Sequence, residues 1–170
     1  MNNEEIILKE LLRKEPQHIR ELARNTSLHP NTIITTVNTL EKSNIIKTEK
    51  EDKKQVFYEN NQKAKNRKVF YIIEEIISSG LIKHLEEYYS YPAIILFGST
   101  AKGEFHENSD IDIAIITDDK KSADLRKFEK KLNKEIQTFI FNKAEFKKLN
   151  KELFNNIVNG IVLSGFAEVK

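Results

Sequence analysis

The residues most able to do chemistry lie in two short runs. The first is Phe97-Gly98-Ser99-Thr100-Ala101-Lys102-Gly103 and the second is Asp110-Ile111-Asp112. Gly98 lets the backbone approach a bound group closely, and the Ser99 hydroxyl and nearby N–H groups can donate to phosphate oxygens. Lys102 adds a positive charge. Asp110 and Asp112 are two apart, so on a strand both point to one face, and Ile111, Ile113 and Ile115 point to the other, into a core. Magnesium takes one or two carboxylates together with phosphate oxygens. Two such ions about 3.5–4 Å apart would align and neutralise an in-line phosphoryl or nucleotidyl transfer. The ligand that suits these residues is a nucleoside triphosphate with Mg2+, with Gly98, Ser99 and Lys102 on the nucleotide and Asp110 and Asp112 on the metal.

Two strands and a turn must position these groups. Ala93 to Phe97 is an apolar run bounded by Pro92 and Gly98 and reads as a buried strand. A small-residue turn follows, and Asp110 to Ile116 reads as a second strand. An apolar strand ending in Gly-Ser, a loop, then Asp-x-Asp among apolar residues resembles the minimal nucleotidyltransferases of the DNA polymerase beta superfamily. Gly98, Ser99, Asp110 and Asp112 match that signature; Ala101, Gly103 and Ser109 fit its small positions. The resemblance implies a third carboxylate on a later strand, where it completes a metal site and can deprotonate the incoming hydroxyl. Here the candidate strand is Glu135 to Phe141. Alignment puts Gln137 at the third position, and Gln is no base and a weaker, neutral ligand. Glu135 shares its face one step away and is the candidate substitute, alongside its plain reading as a solvated strand-end charge.

Composition bounds the rest. The 170 residues, 39% hydrophobic and 32% charged, suit one large domain or two small ones. The chain has no cysteine, which excludes disulfides and cysteine-ligated zinc. His18, His29, His84 and His106 lack ligand spacing, and His106 reads as a loop histidine near the phosphate turn. No apolar run is long enough to span a membrane and the N-terminus does not read as a signal peptide, so a cytoplasmic, soluble protein with no membrane partner is expected.

The N-terminal third has a different logic. Ile6, Ile7, Leu11 and Leu12 predict a first helix over roughly Glu4 to Lys14; Ile19, Leu22 and Ala23 mark a second. Pro30 suits the first turn of a third helix carrying Ile33, Ile34, Val37 and Leu40. Ile45-Ile46 and Gln55-Val56-Phe57-Tyr58 predict a hairpin with its turn at Glu51 to Lys54. This order, and especially Leu40-Glu41-Lys42-Ser43-Asn44-Ile45-Ile46, resembles winged helix-turn-helix regulators of the arsenic-repressor and multiple-antibiotic-resistance type. The resemblance implies a recognition helix in the major groove, with Asn31, Thr32, Thr35, Thr36 and Lys42 facing DNA and Lys53 and Lys54 of the wing reaching its backbone. Residues 1–60 hold equal numbers of basic and acidic side chains, so the basic excess usual for DNA binding is absent and a protein-interaction module is the alternative.

Ala64 to Ser79 predicts a connector helix ended by Gly80, and its apolar face suggests a homodimer. The expected architecture is mixed α/β: a winged helix over 1–60, a connector over 61–80 and a small mixed-sheet nucleotidyltransferase over 81–170. The expected function is Mg2+-dependent transfer of a nucleoside monophosphate, ATP being the favoured donor, to an unidentified acceptor, coupled to DNA binding. Two alternatives stand beside it. One is a transcription regulator whose second domain is a catalytically weak nucleotide sensor; the other is an antitoxin that binds or modifies a toxin or other protein partner.

Overall fold

The computed structural model describes residues 2–50 and 54–166. Lys53 lies outside the described residues, as do the side chains of Lys50 and Lys54. The chain divides into two units, Met1–Tyr71 and Ile72–Lys170.

In the first unit, helix α1 (Asn3–Arg13) opens on a reciprocal cap in which the Asn2 side chain accepts from the Glu5 N–H and the Glu5 carboxylate accepts from the Asn2 N–H. Two otherwise orphaned donors are thereby satisfied. Its buried stripe is Ile7, Leu8, Leu11 and Leu12, so Leu8 replaces Ile6 in the expected set. A two-residue strand, β1 (Gln17–His18), precedes α2 (Ile19–Thr26) and α3 (Pro30–Lys42); β2 (Ile46–Lys50) and β3 (Lys54–Tyr58) complete an antiparallel sheet in the order β1-β3-β2. Nothing in the pattern foretells β1, because two residues carry no period. It is fixed by Gln17, which is 1% exposed. Its amide donates to the carbonyls of Glu10 at 3.0 Å and Lys14 at 2.9 Å and accepts from Asn25 at 3.0 Å.

Pro30 takes the first turn of α3, where its missing N–H costs nothing. The buried face of α3 is Ile33, Thr36, Val37 and Leu40, the i, i+3, i+4, i+7 set. This corrects the sequence expectation for Thr36: at 8% exposure it packs inward and cannot face a groove. Asn31, Thr35, Asn38, Thr39 and Lys42 are exposed and Thr32 is half-buried.

The long helix α4 (Gln62–Ser79) carries the boundary between the units. The second unit continues through α5 (Leu81–Tyr88), β4 (Ala93–Phe97), α6 (Gly98–Lys102), β5 (Ile111–Ile116), α7 (Arg126–Leu132), β6 (Ile136–Phe141), α8 (Lys143–Lys147), α9 (Lys151–Val158) and β7 (Ile161–Ser164). The sheet order is β6-β5-β4-β7. β4 runs antiparallel to β5 and β7, whereas β5 and β6 are parallel, and α7 lies in the crossover that a parallel pair requires. β4 is buried along its whole length because it has neighbours on both sides and side chains packed on both faces. Ile95, Phe97 and Ala114 share one face with Phe146 and Ile157 from α8 and α9. On the other face Ile111, Ile113 and Ile115 are fully buried, as the alternation predicts. The apolar alternation in β5 thus pins the register, since a one-residue slip would drive both aspartates inward.

Candidate active site

Gly98 and Asp112 are built against each other. Phe97 at the end of β4 pairs with Asp112 on β5, so the next residue turns directly over the Asp112 carboxylate. Gly98 has φ of +72°, a conformation that an L side chain resists. A Cβ added there would sit 2.3 Å from Asp112 Oδ2. Glycine is therefore required twice, by torsion and by space. The sequence suggests a simple turn after Gly98, but the chain forms the one-turn helix α6. Five residues are too few to show helical periodicity. Gly103 closes this helix with φ of +70°, and the Glu104 N–H donates to the Ser99 carbonyl at 3.0 Å.

The loop from α6 back to the sheet is held in part by Thr100 and Lys134, whose roles the sequence does not show. Thr100 is fully buried and its Oγ1 donates to the Asp110 carbonyl at 2.9 Å. The Lys134 ammonium donates to the carbonyls of His106 at 2.9 Å and Glu107 at 2.9 Å, and lies 5.4 Å from the Phe105 ring centre. Lys134 thus fastens the loop. His106 donates its backbone N–H to Ser109 Oγ at 2.8 Å, which makes this pair part of the turn. The only sequence signal for these roles is a hydroxyl inside an otherwise small-residue run and a lysine at the start of a strand; both are too common to point to a partner.

Asp110 stands just before β5 and Asp112 on it. In the parallel register Asp112 pairs with Gln137, and the Gln137 side-chain amide donates to Asp110 Oδ2 at 2.6 Å. The Asp112 carboxyl is pushed above its usual range, first by burial and second by the charge of Asp110. Two partly buried acids that repel each other are an arrangement a divalent cation would relieve.

Residues 79–165 match the polymerase beta nucleotidyltransferase family. The chain belongs to this family. Membership supports nucleotidyl transfer as the general activity of this nucleotidyltransferase domain, which includes every strand of the second sheet together with Gly98, Ser99, Asp110 and Asp112. Residues 3–61 match a separate family model, HVO_A0114. No curated protein matches the chain. Among solved structures, a candidate nucleotidyltransferase from Sulfolobus solfataricus is similar at 15% identity, over 61% of this chain and 97% of that one, with a TM-score of 0.36.

Within the nucleotidyltransferase domain the remaining sequence candidates fall in different places. Ser99 is half-buried in α6 and Lys102 is exposed at its end. Glu135 precedes β6, is exposed, and lines an open depression with Glu129, Asn133 and Lys134. The side chain against Asp110 is Gln137. Glu135, the expected substitute for the third carboxylate, thus stands exposed one residue before β6, and the register sets Gln137 opposite Asp112. Among the described residues no group of three or more His, Cys, Asp or Glu is gathered to hold a metal. The donor set offered by the protein is two carboxylates and one amide, which fits a cation that takes its other ligands from phosphate and water. No helix among the described residues is long and apolar enough to cross a membrane.

Proposed function

We propose that the nucleotidyltransferase domain binds a nucleoside triphosphate with Mg2+, ATP being the favoured donor, and transfers its nucleoside monophosphate to an acceptor hydroxyl. The observation that carries this reading is the close approach of Gly98 to Asp112, which brings the start of α6 and its N–H groups up against a carboxylate. The Ser99 hydroxyl and the first N–H groups of α6, which lack intrahelical partners, would donate to the β- and γ-phosphates. Asp110 and Asp112 would hold the cation. Bound there, the cation supplies charge neutralisation for the α-phosphate and the departing pyrophosphate. In the transfer the acceptor oxygen forms a bond to the α-phosphorus, the bond from that phosphorus to the bridging oxygen breaks, pyrophosphate leaves with the electron pair, and the acceptor proton passes to solvent. Gln137 cannot receive that proton, since a neutral amide is not a base at ordinary pH.

The experiment is incubation of the full chain and candidate acceptors, itself included, with Mg2+ and ATP labelled in the α- or the γ-phosphate. Transfer of α-label and not γ-label, lost in Asp110→Ala, is the expected outcome. Transfer of γ-label alone would reject nucleotidyl transfer.

A second reading, a nucleotide sensor with slow or no turnover, is favoured by Gln137 itself. It predicts Mg2+-dependent ATP binding without label transfer. Either reading joins the domain to a DNA-binding role for the first unit, supported by the exposed Asn31, Thr35 and Lys42 on one face of α3. Thr35 and Thr39 donate their hydroxyls to the carbonyls of Asn31 and Thr35, which leaves their oxygens able to accept. Fluorescence anisotropy with promoter fragments would test this role. Affinity that falls in Lys42→Ala supports it, and affinity unchanged in the Asn31, Thr35 and Lys42 alanine variants counts against it.

A further inference from the structure

We infer that the site takes one divalent cation per nucleotide and that Gln137 sets this number. The inference rests on the nucleotide-binding reading above and adds to it a residue and a stoichiometry.

Three observations carry it. The protein brings two carboxylates together, and among the described residues no third acid or histidine joins them. Gln137 directs an N–H of its amide at Asp110 Oδ2 over 2.6 Å, so the positive end of a dipole occupies one of the directions from which a second cation could reach that oxygen. Asp112, the register partner of Gln137, has its carboxyl against the Gly98 turn. One cation between Asp110, Asp112 and the triphosphate matches the two negative charges that the protein supplies. A second cation about 3.5–4 Å away would have to share Asp110 and Asp112 with the first and draw its other ligands from phosphate and water, and the further protein group beside the pair, Gln137, is a neutral and weaker ligand. Gln137 is on this account a positioning residue: it holds the Asp110 carboxylate through a hydrogen bond and withholds the ligand for a second ion.

Turning the amide by half a rotation would reverse this, since its carbonyl oxygen would then face the site as a neutral ligand. Ion counting separates the two cases. The test uses the full chain with a non-hydrolysable ATP analogue methylene-bridged between the α- and β-phosphates. Mn2+ is counted by equilibrium dialysis and electron paramagnetic resonance against an analogue-only control. The wild type is expected to bind one Mn2+ per chain with an uncoupled spectrum. Gln137→Glu, which keeps the shape and adds a charge, is expected to bind two, with the broadened signal of two nearby spins. Gln137→Asp gives the same comparison with a shorter acid should Gln137→Glu melt early, and the wild-type count stands without either. Two ions in the wild type would overturn the inference while leaving nucleotide binding intact. One ion in folded Gln137→Glu and Gln137→Asp would remove the role assigned to Gln137. No protein-bound Mn2+ in any form would reject the nucleotide site itself, and the inference with it.

Discussion

Gly98 and Asp112 act as one device, and each can be tested by a single atom group. Gly98→Ala forces a Cβ into the Asp112 carboxylate and keeps a positive φ that costs about 1–2 kcal/mol outside glycine. It is expected to weaken Mg2+–ATP binding by about tenfold or more, equivalent to about 1.4 kcal/mol, as read by calorimetry. Asp112 gives a pH signature. Its folded pKa is raised above the ordinary 3.8 by burial and by Asp110, so the native state holds more protons than the unfolded chain between those two values. Stability of the cation-free protein therefore falls as pH rises from about 4 through the folded pKa. Asp112→Asn removes that loss and is expected to melt higher than wild type at neutral pH without cation. Saturating Mg2+ and ATP should reverse the order, since only the wild type gains their binding energy. A variant that melts lower than wild type at neutral pH without cation would contradict this account. Thr100→Val leaves the partly buried Asp110 carbonyl without this donor and is expected to cost about 1–3 kcal/mol in urea unfolding.

The strand pair β4–β5 is the element that joins turn to acids, and β7 guards its far edge. Gly160, just before β7, packs so closely that a Cβ would meet the Leu96 carbonyl at 2.4 Å and the Ile157 carbonyl at 2.9 Å. Both obstacles are backbone and cannot swing aside, so Gly160→Ala is expected to destabilise the sheet by about 1–3 kcal/mol, measured as a lower urea midpoint at unchanged slope. The sequence made β4, β5 and β6 legible, because continuous or alternating apolar residues bounded by Pro92, Gly98 and Asn142 leave few other solutions. It made α3 legible through Pro30 and the spacing of Ile33, Val37 and Leu40. Side chains whose meaning depends on a distant partner were hidden. Thr100 meets Asp110 across the loop, Lys134 meets carbonyls from His106 and Glu107, and Thr36 has the same residue type as its exposed neighbour Thr35. Gln137 could be placed at the third position by alignment to the family signature, but its donation to Asp110 required the register of two parallel strands that are far apart in sequence.

At the scale of the molecule, two units that match different families share one chain. Residues 1–60 hold equal numbers of acids and bases, so the DNA-binding role proposed for the first unit would rest on a few placed groups and not on a broad basic surface. On that proposal Lys42→Ala is expected to reduce DNA affinity and lower the salt slope by about one. If the nucleotide domain regulates that unit, DNA affinity of the full chain should change on adding Mg2+ and ATP, and this change should vanish in Asp112→Asn. Equal affinity with and without nucleotide would separate the two functions. The central claim is narrower: Asp110, Asp112 and the Gly98–Ser99 turn form a metal–nucleotide site. Calorimetric titration of ATP into the full chain, with Mg2+ and with chelator, tests it most directly. The account predicts saturable binding that requires Mg2+ and weakens at least tenfold in Asp110→Asn and Asp112→Asn. ATP binding that is indifferent to Mg2+ and to both substitutions would contradict it.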